Sequence, residues 1–578
     1  MKPQRPRPLP RHRNAASIAK MATLAAALLP ALACAQAIEL PGDADVSRLR
    51  AEPLPLPATP KFDLRIESPE KSPVPKAVDE IRFEVQDIVV EGATRYPEEE
   101  VKALFRPLMG TTVGLSAVRE AAEALEARYR RDGYFLVRVF VPPQQVKDGV
   151  FRILVVEGFI ENVQVEGGSA GARELVERVV RPVAGKRPVD LASLEQALLV
   201  LNDLPGVVGS GVLRQGGSLG ASDLVVTLSE PPARTVTATA SNTLSKTLGQ
   251  VSIGLTAIFN NPFERWPGQL LVGYNGTPDL ERLNALNARY AAGVGDRGTV
   301  LSMGALVANA RPAGSLSPLD IESNSWALSP RARTPLLRSR GLSVFVEGGL
   351  TINEARTTSD ASVLAHDRAL VADAALFVSD KGHWSGNTDV AITLARGVDA
   401  GIALSTSATT ASVRGAELDF TKLKLNFSRW QELPADFSLQ VSVAGQWTDD
   451  KLLSGERVSF GGVAIGRAYD SGTASGDRGA GALLELRRDI RHPSIPLTGG
   501  AKLQAYLFAD YAHATLLANP VAGSAESSKY LHSIGAGLRY QDSKALSVDL
   551  MIASARHSIA SSDPRPDPRV LLMLSKGF

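Results

Sequence analysis

Val90-Glu91-Gly92, followed by Arg106-Pro107 and then Gly110, recurs as Val165-Glu166-Gly167, followed at the same offsets by Arg181-Pro182 and then Gly185. Two copies in register, about 75 residues apart, are the mark of two small modules of one kind in tandem. In the first, Phe83, Val85, Ile88 and Val90 read as a strand. Pro97-Glu98-Glu99-Glu100 then opens a helix, with Pro97 suited to the first turn and the acids at the positive end of the dipole. Ser116 precedes a second helix, in which Val118, Ala121, Ala122, Leu125 and Tyr129 share one buried face. Gly133 stops it. Strands are expected over 136–141 and 150–156, separated by a turn containing Asp148-Gly149. The second module repeats the order, with helices near 172–180 and 191–204 and a final strand near 223–228. Each module reads β-α-α-β-β, over 81–158 and 159–231.

From 232 to 578 the sequence alternates with period two. Leu342, Val344, Val346, Gly348 and Leu350 alternate with Ser343, Phe345, Glu347, Gly349 and Thr351. The stretches 437–448 and 546–553 do the same. In a transmembrane strand one parity faces lipid and the other a polar lumen. A soluble β-sandwich alternates in the same way. The number of such segments, the N-terminal leader described next, and the last strand (Val570, Leu572, Leu574, Phe578) favour a membrane barrel. Lys576 interrupts that last parity. No stretch after Ala37 is apolar for 18 residues, so a spanning structure has to be a closed barrel. At roughly ten residues per strand plus a connection, an antiparallel barrel of about 16 strands is expected. The fold class is thus mainly β, with two small α/β modules ahead of a barrel.

The first 37 residues hold Lys2, Arg5, Arg7, Arg11, Arg13 and Lys20 and no acid. A short apolar run over 21–33 and the small residues Ala33-Cys34-Ala35 follow. This is the pattern of a secretory signal peptide over 1–37. Its removal leaves 57 basic against 61 acidic residues, which argues against a nucleic-acid partner. It also removes Cys34, the only cysteine, and with it any disulfide or cysteine metal site. Residues 38–80 are a proline-rich linker of extended character, in which 43–52 has room for a short plug helix.

The run Tyr129-Arg-Arg-Asp-Gly133-Tyr134, then Val141-Pro-Pro-Gln144, Asp148-Gly149 and Val155-Val-Glu157-Gly158, resembles the first POTRA (polypeptide-transport-associated) domain of two-partner secretion transporters. Leu201-Asn-Asp-Leu-Pro-Gly206 and Gly220-Ala-Ser-Asp223 resemble the second. The resemblance implies a bacterial outer-membrane protein of the haemolysin secretion/activation type, with its POTRA domains in the periplasm. It would export one large β-helical exoprotein, an adhesin or haemolysin, which the POTRA domains recognise through their free sheet edges. Phe578 would be read by the barrel-assembly machinery, and the lipid bilayer is the remaining partner. An outer-membrane insertase of the same superfamily and a passive porin are the rival readings.

Ser459-Phe-Gly-Gly-Val-Ala-Ile-Gly466-Arg467-Ala468-Tyr469-Asp470 resembles the superfamily's conserved loop, whose Arg-Gly-aromatic tip folds back into the lumen. Here the loop spans about 459–480 and Ala468 stands for the glycine. Phe508-Ala-Asp510-Tyr-Ala512 resembles the barrel-wall motif that receives it, with Ala512 in place of glycine. Parity puts Tyr506, Phe508 and Asp510 on the lumen side, where a charge costs less than against lipid. A salt bridge between Arg467 and Asp510 is therefore expected. No enzyme chemistry is expected. Gly216-Gly-Ser218-Leu-Gly220 fits G-x-S-x-G but leads into a strand where a nucleophile elbow leads into a helix. The seven histidines show no metal-ligand spacing, and there is no phosphate-binding loop. The chain calls for neither metal nor cofactor. The mature protein should begin near Gln36 or Ile38; intact-mass measurement of the membrane form checks this, and retention of Met1 or a lipid on Cys34 would contradict it.

Overall fold

The structure is a computed structural model and describes residues 44–50, 54–56, 64–66, 82–360, 362–401, 403–404, 409–490, 500–557 and 566–578. The leader, Cys34 and most of the proline-rich segment lie outside the described residues. A single 3₁₀ turn, Val46–Arg48, comes first, where a longer helix was allowed for. A short strand, β1 (Leu64–Ile66), follows.

The first module comprises β2 (Arg82–Val85), β3 (Asp87–Glu91), α1 (Glu98–Phe105), β4 (Thr111–Gly114), α2 (Leu115–Arg131), β5 (Arg138–Phe140) and β6 (Val150–Val156). The expected first strand is therefore two. Val85 and Ile88 are both fully buried, and residues of opposite parity cannot face one core from an unbroken strand. The chain kinks at Gln86, whose amide bonds the carbonyl of Gly149. β2 leaves to pair with β4, while β3, β6 and β5 form the main sheet. Helix α2 begins at Leu115, so Ser116 lies inside it and Gly114 caps it. Its Val118, Ala122, Leu125 and Tyr129 are buried, as their spacing requires. Glu157 closes the module: its carboxylate accepts from the amides of Thr94 (2.8 Å) and Arg95 (3.0 Å) and from the Tyr129 hydroxyl (2.7 Å). Burial and that carboxylate push the Tyr129 hydroxyl far above its ordinary range, so it stays a donor.

The second module comprises β7 (Phe159–Gly167), α3 (Ala170–Val180), α4 (Leu191–Asp203), β8 (Val208–Gln215) and β9 (Ala221–Ser229). Ser169 and Asp190 cap its helices by accepting from the amides of Ala172 and Ser193. Its sheet order is β1-β8-β9-β7, so the linker contributes an edge strand. Gly216 to Gly220 lie in the turn between the antiparallel β8 and β9, outside any strand-to-helix elbow.

Sixteen antiparallel strands, from Arg234–Ser241 to Arg569–Gly577, close into a barrel. Its outside is apolar: Leu286, Leu301, Val307, Leu394, Leu484, Leu507 and Ile552 are exposed there. Trp266 and Trp384 stand at the rim nearer the modules and Trp447 near the other, as in an aromatic girdle. The second module is fastened to the near rim by Asp203, which takes a bidentate pair from Arg338 (2.6 and 2.7 Å), and by Glu195 with Arg340 (3.0 Å). The last strand closes on the first over Thr237–Ser241, and the Phe578 amide bonds the Val236 carbonyl (2.8 Å). Lys576, the residue that broke the parity, reaches the Lys544 carbonyl in the neighbouring turn.

Beyond the paired residues, Asn242 continues the seam with its side chain. Its carboxamide donates to the Val570 carbonyl (2.9 Å) and accepts from the Leu572 amide (2.7 Å). Asn242→Ala should leave the barrel closed but fray this end. Two lost bonds of about 1 kcal/mol each correspond to roughly tenfold or more faster hydrogen exchange at the Leu572 amide, with exchange at mid-barrel unchanged.

Candidate functional site: the loop docked in the lumen

The connection between the strands Phe437–Trp447 and Arg478–Asp489 leaves from the far rim and turns back into the barrel. It starts as a small hairpin, Val458–Phe460 against Ala474–Gly476. Gly461 and Gly466 make the turn possible. Both have positive φ (112° and 92°), and a Cβ on Gly461 would sit 2.1 Å from the Asp470 carbonyl oxygen.

The tip carries Arg467, Ala468 and Tyr469, all buried, together with Phe508, Asp510 and Ala512 of the wall strand Lys502–Leu516. The Arg467 guanidinium lies 4.6 Å from the centre of the Phe508 ring, a cation–π contact. The Ala468 amide donates to Ser533 Oγ (3.1 Å), and the Tyr469 hydroxyl to the His557 carbonyl (2.9 Å). Ala468 and Ala512 are wholly buried in the same packed cluster, with Tyr469, Phe508 and Leu531.

The expected Arg467–Asp510 salt bridge is not formed. Arg467 Nη1 pairs instead with Glu485 Oε2 at 2.6 Å, and Asp510 accepts from the backbone amide of Arg467 at 3.2 Å. The register explains the choice. Leu483 lies opposite Asp510 and Glu485 opposite Phe508, so both carboxylates stand on the lumen face of adjacent strands. The guanidinium, laid over Phe508, meets the carboxylate across from that ring. Glu485 has no exposed surface and also pairs with Arg487 and, at 3.6 Å, Arg539. Arg539 in turn holds Asp549 (2.8 Å), which accepts from the Tyr506 hydroxyl (2.6 Å). The sequence reading missed Glu485, Arg487, Arg539 and Asp549. Alternation from Gly479 to Arg487 marks Glu485 as lumen-facing, but its meeting with Arg467 depends on register.

The root of the same connection grips the N-terminal segment. Glu456 is buried between Lys422 (2.7 Å) and Arg50 (2.7 Å), and Ser454 Oγ donates to Asp45 (2.6 Å). Ala44 and Val46 are buried against wall residues Ala285, Leu306 and Ala308. Lower down, Arg333 donates to the carbonyls of Leu54 (2.7 Å) and Pro55 (2.8 Å) while paired with Glu347. Residues 44–50 and 54–56 therefore lie within the barrel. Among the described residues no group of three His, Cys, Asp or Glu is placed to hold a metal, and no helix is long and apolar enough to cross a membrane.

Residues 83–158 match the family model described as "POTRA domain, ShlB-type", and residues 220–540 match "Haemolysin secretion/activation protein ShlB/FhaC/HecB". The heme/hemopexin transporter protein HuxB of Haemophilus influenzae (strain 86-028NP) is 23% identical over 469 residues, 79% of this chain and 80% of that protein. The outer membrane transporter CdiB of Escherichia coli is 25% identical over 455 residues, 75% of this chain and 73% of its own. Among solved structures, CdiB from Escherichia coli superposes with a TM-score of 0.68 at 20% identity, covering 89% of this chain and 93% of that one. BamA from Haemophilus ducreyi lacking POTRA domains 1-3 gives 0.51 at 12% identity, over 86% and 100%. These two likenesses are of fold.

The geometry separates the roles of the two carboxylates. Asp510→Asn keeps an oxygen for the Arg467 amide and should leave the loop docked. Glu485→Gln removes the carboxylate that pairs with Arg467 and Arg487, while Arg539 keeps Asp549; breaking a buried pair costs about 3–5 kcal/mol, and the substitution should release the tip. Protease accessibility of 461–470 in the intact, heat-modifiable barrel reads this out. Equal release by both substitutions would contradict the assignment.

Proposed function

Because the chain belongs to the haemolysin secretion/activation family ShlB/FhaC/HecB, whose model covers more than half of it, we propose that this outer-membrane transporter exports one large β-helical exoprotein, of adhesin or haemolysin type. The POTRA modules stand in the periplasm and receive the unfolded exoprotein there. Phe578, at the rim nearer the modules, is the mark read by the barrel-assembly machinery. The observation that carries the reading is the state of the lumen. Residues 44–50 and 54–56 and the tip at 466–469, all of the chain itself, occupy it, and one connection holds both the tip and residues 45 and 50. A passive porin has no use for such a fastening. The likeness to BamA is a likeness of fold and brings no insertase activity with it.

The lumen loop is the gate in this reading. Arg467 holds the tip, and the motif Gly466-Arg467-Ala468-Tyr469 with Phe508, Asp510 and Ala512 forms its seat. Loss of Arg467 leaves Glu485 still paired with Arg487 and Arg539, so the cost is moderate, about 1–3 kcal/mol. That is too little to unfold the barrel and enough to shift docking by one to two orders of magnitude. Folding of the exoprotein outside the cell supplies direction, since the sequence carries no nucleotide-binding loop.

The test is co-expression with a large β-helical exoprotein encoded beside it, in a bacterium lacking both. Wild type should release the exoprotein to the surface or medium. Arg467→Ala should insert normally, keep heat-modifiable migration, and secrete less than about a tenth as much. Wild-type secretion by Arg467→Ala would remove the loop from the mechanism. No export by the wild type would overturn the function.

A further inference from the structure

The strand Leu342–Ser359 leaves the rim near the modules and climbs to the far rim. From Val344 to Ile352 its outward-facing residues carry no charge, and Glu354 and Arg356 are the next two on that face. Eight steps of ~3.4 Å at a tilt of ~40° rise ~21 Å, which fits within an apolar band ~25 Å tall. The outward charges therefore begin where the band ends. The next strand, Ser362–Lys381, agrees: Leu370 lies opposite Ile352, Arg368 opposite Glu354 and His366 opposite Arg356. Glu354 is fully engaged. Its carboxylate accepts from Trp326 Nε1 (3.2 Å) and from Arg368 (2.8 and 3.0 Å), and bonds His366 Nε2 (2.7 Å). Arg356 stands beside it, exposed, and among the described residues no carboxylate pairs with it.

Between Tyr274 and Trp326 the outward wall is hollowed into a recess of about 460 Å³. Its floor is Leu286 and Val307, an exposed pair opposite each other in register. Its upper edge is polar: Asn284, Asn309 and Asn324 are successive register neighbours, and Arg356 follows Asn324. The Tyr274 hydroxyl donates to Asn284 Oδ1 (2.9 Å), and Asn309 Nδ2 to Asn324 Oδ1 (2.9 Å). The recess is thus apolar below and lined above by carboxamides, with one surplus cation. Tyrosine and tryptophan flank it at the height where such amphipathic rings meet lipid head groups. A guanidinium without a carboxylate at that height meets phosphate there, in a geometry that admits two parallel bonds. Carboxamides both donate and accept, as sugar hydroxyls require. A row of three of them favours a sugar over a glycerol head group.

We propose that this recess is a binding site for a phosphorylated, multiply acylated sugar lipid of the outer leaflet, lipid A in class. An acyl chain lies on Leu286 and Val307, the sugar meets the asparagines, and a phosphate meets Arg356. The proposal rests on the outer-membrane orientation given above, in which the far rim is the cell-surface side. It adds a lipid partner and its site, and it does not depend on export.

The test uses the full-length protein purified in a non-ionic detergent, with binding read by native mass spectrometry. The probes are bis-phosphorylated lipid A, the same lipid stripped of phosphate, and phosphatidylglycerol as a phosphate-bearing lipid without the sugar. Wild type should prefer lipid A to phosphatidylglycerol by at least about tenfold. Arg356→Gln should weaken lipid A binding about tenfold and should bind the stripped lipid as wild type does. Val307→Trp, whose ring fills the recess from an outward-facing position, should weaken lipid A binding at least as much. Arg488→Gln removes an exposed outward arginine near the other rim and should bind as wild type. Equal binding of lipid A by wild type and Arg356→Gln overturns the proposal, as does equal binding of lipid A and phosphatidylglycerol by wild type. If Arg356→Gln loses heat-modifiable migration, Val307→Trp decides, and unchanged binding by that variant overturns the site. If the protein fractionates away from the outer membrane, the orientation falls while the purified protein still reports on the recess. Lipid A held at Arg356 by a protein that exports nothing leaves the site standing and removes the transport reading.

Discussion

Glu485 is fully buried, and three guanidinium groups, those of Arg467, Arg487 and Arg539, converge on it. A lone carboxylate removed from water is very costly, and one neutralised by several fixed cations is tolerable. Two of these arginines come from the barrel wall and are fixed by their strands. The third comes from a loop that enters from the far rim. The wall thus carries a fixed anion, and the loop satisfies part of its charge only when docked. Phe508, Ser533 and Asp510 then receive the ring contact and the two backbone amides of the tip. The pairing of Arg467 with Glu485 fixes the position of the loop tip, Gly466 to Tyr469.

The same connection is fixed at its root by Glu456, buried between Lys422 and Arg50. One chain segment therefore carries two buried carboxylate sites in reach, one gripping the wall through its tip and one gripping the N-terminal segment through its root. Asp477 stiffens the return of the loop by accepting from the amides of Leu452 (3.0 Å) and Leu517 (2.9 Å). A multiply bonded piece of backbone thus joins the two ends.

Much of this was legible before the fold was. The tandem repeat pointed to two modules, the alternation to the barrel strands, and the parity of Tyr506, Phe508 and Asp510 to the lumen side of their strand. Three features were not legible, each for a physical reason. The split of the first strand into β2 and β3 follows from a kink at Gln86 that lets Val85 and Ile88 share a core, and that kink is held by the distant Gly149 carbonyl. Glu485 joined the site through the register of two strands, which the sequence of either strand alone does not determine. β1 hid in a proline-rich stretch because three residues carry too little pattern to be read as a strand. The expectation of free module edges fails at β8 for that reason.

Ionic fastening suits a gate better than an apolar plug would. A buried ion pair contributes little net stability against its separated, hydrated members, because the water lost on docking is regained on release. Breaking it by admitting water therefore costs far less than breaking it by deleting one partner in a dry site. An apolar stopper would be stabilised by every buried methylene at about 0.8 kcal/mol, and releasing it would expose all of that surface at once. Among the described residues of the N-terminal segment, Ala44, Val46 and Leu49 supply the apolar contacts in this cluster, while Arg50, Asp45 and the tip residue Arg467 hold by charge and hydrogen bonds. A hydrated polypeptide entering the pore brings with it the solvent and the hydrogen-bonding groups that such contacts exchange with. In the gate proposed above, the closed state would be well defined in the absence of traffic and would yield to it without the barrel wall having to unfold.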